Sequence, residues 1–206
     1  NNANKSTTSP TITFNIPATD IGYQAATSHW QIRPINGTAG NWSNFIKDIT
    51  PLPTLTKAST TINGGATTNS AAIMNANTAL LKIELNGEPS GTSNGLTINA
   101  ANCTIADLNI NKFSGIGIRI EAIGNNAVVR GCFIGTDIRG LATLYGNTAD
   151  GIFVNNASDI TIGGNQPASQ NIISGNITIG IYTNSASATG NTILGNIIGP
   201  QKDGIT

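Results

Sequence analysis

Four glycine-led segments in the second half of the chain share one pattern, and that pattern constrains the fold most strongly. In each, an apolar residue follows the glycine and a β-branched residue comes two positions later: Gly95–Ile98, Gly117–Ile120, Gly151–Val154 and Gly180–Thr183. Two more short apolar segments follow, separated by Gly or Asn, and the leading glycines are 22, 34 and 29 residues apart. Alternation over three residues, three times in a unit of about 22 to 24 residues, predicts a coil of three short strands and three corners.

One such unit is too small to bury its apolar face alone, whereas stacked units can place like residues on like residues. We therefore predict an all-β fold, a single-stranded right-handed parallel β-helix (solenoid) of about eight rungs with three short strands per rung. Branched side chains suit stacked parallel strands. The expected core ladders are Ile98–Ile120–Val154, Ile105–Val129–Ile162–Ile193 and Ile110–Ile134–Ile173–Ile198.

The pattern also divides the chain. Residues 1–10 are a polar N-terminal tail, and residues 11–206 form one β-helix domain. Within that domain, residues 11–90 are interpreted as irregular capping rungs and residues 91–206 as regular rungs. Trp30 and Trp42 are interpreted as plugs over the open end of the helix, because solenoids need capping ends.

Asn, Gly, Thr and Ile account for 110 of the 206 residues, and Asn and Gly are expected at the corners. Asn tolerates a left-handed backbone and can bond its own turn. Asn102, Asn126 and Asn191 are predicted to share one equivalent corner, stacked as an amide ladder. Cys103 and Cys132 are predicted to face inward in different ladders as buried free thiols, with one disulfide as the alternative.

Charge is scarce, since ten basic and ten acidic residues give a formal net charge of zero. The chain therefore lacks the basic footprint of a nucleic-acid-binding protein, and no nucleic-acid partner is expected. No apolar run reaches the roughly 18 residues of a membrane span. With one histidine, His29, and no adjacent carboxylate pair, we predict no catalytic residues, no metal site and no cofactor, although the question of an enzyme stays open. Asp137, Asp150 and Asp159 lie at predicted turns, where an Asp side chain more often caps or bonds the backbone than takes part in catalysis.

The outward-facing residues of the first strand in each unit suggest one surface site. Thr97, Arg119, Phe153 and Tyr182 should stack in a row, with a second row formed by Asn99, Glu121, Asn155 and Asn184. We take five of these as a candidate glycan-binding face, because rings stack on sugar faces: Arg119, Glu121, Phe153, Asn155 and Tyr182. The alternative is an ordinary solvated sheet on which Arg119 packs against Phe153.

Several short motifs also occur in a familiar order: Thr11–Pro17, Leu52–Thr56 with Thr61–Gly64, Ile83–Gly87, Phe133–Asp137 and Asn171–Asn176. The series resembles the right-handed β-helix repeat proteins of bacterial cell surfaces, which often carry a CSLREA-type leader, over roughly residues 10 to 200. This resemblance implies a secreted or surface-anchored, multi-repeat protein and no established activity. Since neither the leader motif nor a sorting domain is recognised here, we expect a segment or a shortened member.

Together these observations favour a non-catalytic extracellular or cell-surface structural module. An end that stops within a fresh unit, at Gly204–Thr206, would leave an uncovered sheet edge, and such edges pair with other chains. Residues Thr11–Ile16 could add a strand to a neighbour. We therefore expect adhesion or head-to-tail self-assembly into a stalk or filament, with copies of the chain or further repeats as partners. The alternative is a polysaccharide-binding or polysaccharide-degrading, pectate-lyase-like β-helix whose partner is a surface polysaccharide.

Overall fold

Short Ile-rich segments form the strands of the protein in a computed structural model that describes residues 8–14, 23–24, 29–32, 52–65, 81, 83–88, 93–142, 144–184 and 188–200. In chain order the strands are β1 (Thr11–Thr13), β2 (Tyr23–Gln24), β3 (His29–Ile32), β4 (Thr61–Asn63), β5 (Ile83–Asn86), β6 (Leu96–Ile98), β7 (Thr104–Ala106), β8 (Leu108–Asn111), β9 (Ile118–Ile120), β10 (Val128–Arg130), β11 (Phe133–Ile134), β12 (Ile152–Asn155), β13 (Thr161–Gly163), β14 (Ile172–Ile173), β15 (Ile181–Asn184), β16 (Thr192–Leu194) and β17 (Ile197–Ile198). One turn of 3-10 helix, Pro167–Ser169, lies between β13 and β14.

The strands pair between coils and not with their neighbours in sequence. Sheet A has the strand order β1-β4-β7-β10-β13-β16, sheet B has β17-β14-β11-β8-β5-β3-β2, and sheet C has β15-β12-β9-β6. These pairs are parallel except β2 with β3. From β6 onward each strand pairs with the third strand along the chain, because every coil passes through all three sheets. The prediction of an all-β parallel β-helix is confirmed, and the number of rungs stays a prediction.

The three core ladders form in the predicted register. Ile98, Ile120 and Val154 stack in sheet C, the Ile105 ladder stacks in sheet A, and the Ile110 ladder stacks in sheet B. Apart from the last coil, each ladder member is at most 1% exposed. Since complete burial of an Ile side chain contributes about 1.5 to 3 kcal/mol, these ladders are the main source of stability.

The corner that leads into sheet A repeats one backbone conformation in five successive coils. Two residues before the strand, φ is 59° at Ser59, 60° at Asn102, 58° at Asn126, 60° at Asp159 and 71° at Gly190. Asn, Asp and Gly adopt this left-handed region at low cost. The prediction for Asn191 was therefore wrong, because that residue stands one position before its strand and Gly190 occupies the corner. The Asn191 amide instead accepts the Ile160 N–H at 2.9 Å.

Asn side chains, of which Asn147 and Asn171 are buried, link successive coils at two other corners. The Asn171 Nδ2 donates to the Asn196 Oδ1 at 2.9 Å, and the Asn147 Nδ2 donates to the Asn176 Oδ1 at 2.9 Å. Each of these four amides also donates to a backbone carbonyl of the preceding coil: those of Val129, Ile162, Ile110 and Ile134. Amide stacking therefore does occur in the fold, but at corners other than the predicted one.

The insertion after β11 folds back on the outer face of sheet B. Within it Ile138, which is buried, joins a second apolar cluster outside the coil, formed with Leu81, Phe133 and Ile172. In the same outward row of sheet B, Asn109 lies beside Phe133 on one side and Glu84 on the other. Both Glu84 and Asn109 are buried, so this outer face is covered and not solvated.

The N-terminal strands extend sheets A and B by different amounts. Thr11–Thr13 pairs with Thr61–Asn63 of its own chain and is the end strand of sheet A among the described residues, so its addition to a neighbouring molecule stays a prediction. In sheet B, β3 pairs with β5, and the two-residue antiparallel β2 lies outside β3. Trp42 and the Trp30 side chain lie outside the described residues, so their predicted role as plugs stays a prediction.

The two cysteines are buried free thiols, as predicted. The strand register places Cys103 beside Ala127 in sheet A and Cys132 beside Leu108 in sheet B. Both side chains are 0% exposed and belong to the main core. Burial raises the pKa of the Cys132 thiol from 9.0 to about 12, so this thiol stays protonated in the folded protein at neutral pH.

Candidate functional site

The outer face of sheet C carries the two predicted rows of side chains. Arg119 lies between Thr97 and Phe153, and Phe153 pairs in turn with Tyr182. The inward residues of the same strands, Leu96, Ile118 and Ile152, are buried. Alternation along these strands therefore orients the side chains as predicted, and we call this surface the sheet C face.

On the sheet C face, Arg119, Phe153 and Tyr182 stack in a row, and the Phe153 ring in the middle is covered by its two neighbours. The Arg119 guanidinium carbon lies 4.8 Å from the centre of the Phe153 ring. On the other side, the Phe153 and Tyr182 ring centres are 5.2 Å apart with a 41° tilt. Phe153 is consequently only 8% exposed, whereas Tyr182 is 40% exposed. Of these two rings, Tyr182 alone offers much surface to a ligand.

The polar row beside this stack is a connected hydrogen-bond network. The Arg119 Nε donates to the Glu121 Oε1 at 2.5 Å, and the Asn155 Nδ2 donates to the Glu121 Oε2 at 2.8 Å. The bond from Arg119 is the main reason that the pKa of Glu121 is lowered from 4.5. A carboxyl that protonates less readily than usual is poorly suited to general acid catalysis at neutral pH.

The turn aspartates bond the backbone, which is the role expected from their positions. Asp137 Oδ1 accepts the N–H groups of Arg139 and Leu141 at 2.8 and 2.9 Å. Asp150 accepts a hydrogen bond from the Thr178 hydroxyl and the N–H of Ile179. Asp159 has the left-handed corner conformation. Asp137 thus bonds its own turn, Asp150 bonds the next coil and Asp159 forms a corner, and these contacts do not assemble a pair of carboxylates around one bond.

The C-terminal coil differs from the coil before it in the exposure of its core residues. Ile193 is 46% exposed and Ile198 is 44% exposed, whereas their partners one coil earlier, Ile162 and Ile173, are 1% and 0% exposed. The last strands β15, β16 and β17 each form the end of a sheet among the described residues. We call this surface the C-terminal end. The predicted open edge at Gly204–Thr206 lies outside the described residues.

Neither surface contains an evident metal centre. Within the described ranges, no group of three or more His, Cys, Asp or Glu side chains is arranged to hold a metal ion. In the same part of the chain, no helix has both the length and the apolar character needed to cross a membrane. No family model, curated protein or solved structure matches this chain. Any functional assignment therefore depends on the geometry of the sheet C face and the C-terminal end.

Proposed function

We propose that the protein is a non-catalytic structural module of an extracellular or cell-surface β-helix, and that it self-associates through its C-terminal end. The observation that carries the proposal is the change in exposure of the Ile ladders. In sheet A, Ile162 is 1% exposed, whereas Ile193, its partner in the next coil, is 46% exposed. The resemblance to bacterial surface β-helix proteins supports the proposed location.

The C-terminal end combines a strand edge with exposed aliphatic side chains. Strands at the end of a sheet present a row of main-chain N–H and C=O groups, which pair readily with another strand. Beside them lie the exposed side chains of Ile193, Leu194 and Ile198. Covering a large aliphatic side chain that is half exposed contributes about 1 kcal/mol. The surface thus has the features of a contact between structural modules.

Measurement of mass in solution tests this proposal. We expect sedimentation velocity of the pure chain to show association, and the change Ile193→Lys to abolish it by placing a charge in the contact. Ile123→Lys is the matched control, because Ile123 is 60% exposed but lies in the turn after β9. Circular dichroism should show the same β content in both variants. A wild-type chain that stays monomeric at high concentration would refute the proposal.

A second function, binding of a polysaccharide on the sheet C face, is supported by the exposure of Tyr182. Its ring packs on Phe153, which is two residues from Asn155 of the Glu121–Asn155 hydrogen-bond pair on the same strand, and a ring near polar groups suits a sugar. We expect Tyr182→Ala to weaken binding to soluble neutral and uronate polysaccharides in an affinity electrophoresis assay. Leu144→Ala is the control, since Leu144 is 90% exposed on a different part of the surface. Equal retardation of both variants would exclude this face as the binding site.

A further inference from the structure

The outer face of sheet B carries a group of buried polar side chains, which we call the sheet B cluster. Strands β5 and β8 place Glu84 beside Asn109 and Asn86 beside Asn111. All four residues are at most 3% exposed. Buried polar groups are normally hydrogen-bonded, because a group without a partner has lost the hydrogen bonds that water would provide. The hydrogen bonds within the cluster therefore show which of its atoms are satisfied.

Part of the sheet B cluster is a hydrogen-bonded network around Glu84. The Glu84 carboxylate accepts hydrogen bonds from the Gln31 Nε2 at 2.9 Å and from the Asn111 Nδ2 at 2.8 Å. The Asn111 Nδ2 also donates to the Thr136 carbonyl at 2.9 Å. Since both N–H groups of this amide are engaged, the orientation of the Asn111 side chain is fixed. Its Oδ1 accepts no hydrogen bond.

The rest of the cluster consists of amide atoms without a partner. In the described part of the chain, four buried side-chain N or O atoms make no hydrogen bond, and three of them lie on β8: Asn109 Nδ2, Asn109 Oδ1 and Asn111 Oδ1. Asn109 and Asn111 project from the same side of one strand, with their Cα atoms about 7 Å apart. One donor and two acceptors are thus concentrated at one place.

The chemical types of these three atoms indicate the ligand that would satisfy them. The donor Nδ2 disfavours a cation, and the two acceptor oxygens disfavour an anion. A hydroxyl group both donates and accepts, so neighbouring hydroxyl groups can bond the Oδ1 and the Nδ2 of one amide together. Phe133 lies beside Asn109 on the next strand, and its apolar ring suits the C–H groups of a sugar or polyol.

We propose that the sheet B cluster binds a small, free, neutral sugar or polyol, whose hydroxyl groups bond Asn109 and the Oδ1 of Asn111. The network around Glu84 holds Asn111 in the orientation that binding requires. Polar groups left unsatisfied in a folded chain are typical of functional sites, where stability gives way to binding. The proposal depends neither on self-association nor on polysaccharide binding at the sheet C face.

Access to the cluster depends on the insertion after β11. Asn109 is 0% exposed, which favours a small free molecule over a long polymer. Two residues of the insertion contact its neighbours: the Thr136 carbonyl accepts the Asn111 Nδ2, and Ile138 packs in one apolar cluster with Phe133. A ligand therefore has to displace these contacts as it enters. For this reason we expect the dissociation constant to lie in the millimolar range.

Saturation-transfer NMR with glucose, galactose, mannose and glycerol as probes, together with thermal unfolding in their presence, tests the proposal. At least one probe should bind the wild-type chain and raise its unfolding temperature. Asn109→Leu removes the unpartnered atoms of this side chain at similar volume, and it should weaken binding at least about tenfold. Thr161→Ala, on the outer face of sheet A, is the control and should bind like wild type. Circular dichroism should show the same β content in all three chains.

Asn109→Ala is a second variant with the same expected loss of binding, so the test does not depend on how a leucine packs at this position. A wild-type chain that binds none of the four probes would overturn the inference. Binding that persists unchanged in both Asn109 variants would overturn it as well, because the ligand would then lie elsewhere. Neither result bears on self-association, which is measured without a sugar.

Discussion

The contrast between two buried asparagines allows a sharp test of what holds the coils together. Asn171 and Asn109 are both 0% exposed. The Asn171 side chain accepts the Cys132 N–H at 2.8 Å and donates to the Val129 carbonyl and the Asn196 Oδ1, each at 2.9 Å. The Asn109 amide has no hydrogen-bond partner for either Oδ1 or Nδ2. The same substitution at the two positions therefore removes the same atoms but very different interactions.

The expected magnitudes follow from these contacts. A hydrogen bond contributes about 0.5 to 1.5 kcal/mol net, so losing three in Asn171→Ala should lower the free energy of unfolding by about 3 kcal/mol. In Asn109→Ala the small cavity is offset by the removal of two buried, unpartnered polar atoms, which cost about 1 to 3 kcal/mol each. We expect the free energy of unfolding of this variant to lie within about 1 kcal/mol of wild type.

Urea denaturation followed by circular dichroism provides the measurement, with both variants compared at the same protein concentration because association adds to apparent stability. Equal dependence of the unfolding free energy on urea would show that both variants unfold from a comparably compact state. The reasoning is refuted if the two substitutions lower stability equally, or if Asn109→Ala is the more damaging change. Either result would mean that the coils do not depend on the Asn171 hydrogen bonds.

Three further predictions concern single side chains. The folded chain should resist thiol reagents at Cys132, and stability should fall as pH rises from 9.0 towards about 12, because the unfolded chain loses a thiol proton that the folded chain keeps. The lowered pKa of Glu121 contributes stability above pH 4.5 that is lost as pH falls, and Glu121→Gln should weaken this acid dependence. Asn102→Val should cost about 1 to 2 kcal/mol in thermal unfolding, because a β-branched residue disfavours a positive φ.

Each of the three has its own control. Cys132→Ala removes one of two alkaline thiol titrations, since burial also raises the pKa of Cys103, so an unchanged loss of stability in that variant would contradict the role given to Cys132. Arg119→Gln should reduce the acid dependence much as Glu121→Gln does, because Arg119 is the main cause of the shift. Asn102→Gly should be nearly neutral, since φ at this corner is 60° and glycine adopts it freely; a large loss would show that the side chain itself matters.

Much of the core was predictable from the sequence, because alternation decides which side of a strand each residue occupies. Ile118 faces inward and Arg119 outward for that reason alone. Residue type did not show which residue near Asn191 adopts the left-handed corner conformation, since that conformation occurs two positions before the next strand whatever the residue type. Counting back two positions from Thr192, as from Thr104, gives Gly190, so alignment on the strands would have avoided the error.

The candidate sites depend on contacts that arise between coils. Phe153 faces outward by alternation, yet its ring is covered because the register places Arg119 and Tyr182 on either side. Asn109 and Glu84 are outward residues that are buried on the covered outer face of sheet B. A single unit of the sequence contains no information about which residues of other coils will cover it.

The amino-acid sequence by itself determined the β-helix, its three sheets and the membership of the Ile ladders, because period and alternation are local properties. Only the tertiary structure decided which outward residues are exposed, which amides bond between coils and where the ladders meet solvent. The physical reason is that burial depends on neighbours that are one or more coils away along the chain. Ile162 and Ile193 occupy the same place in the repeat. Ile162 is buried because the coil of Ile193 stacks on it, whereas Ile193 is partly exposed in the last described coil.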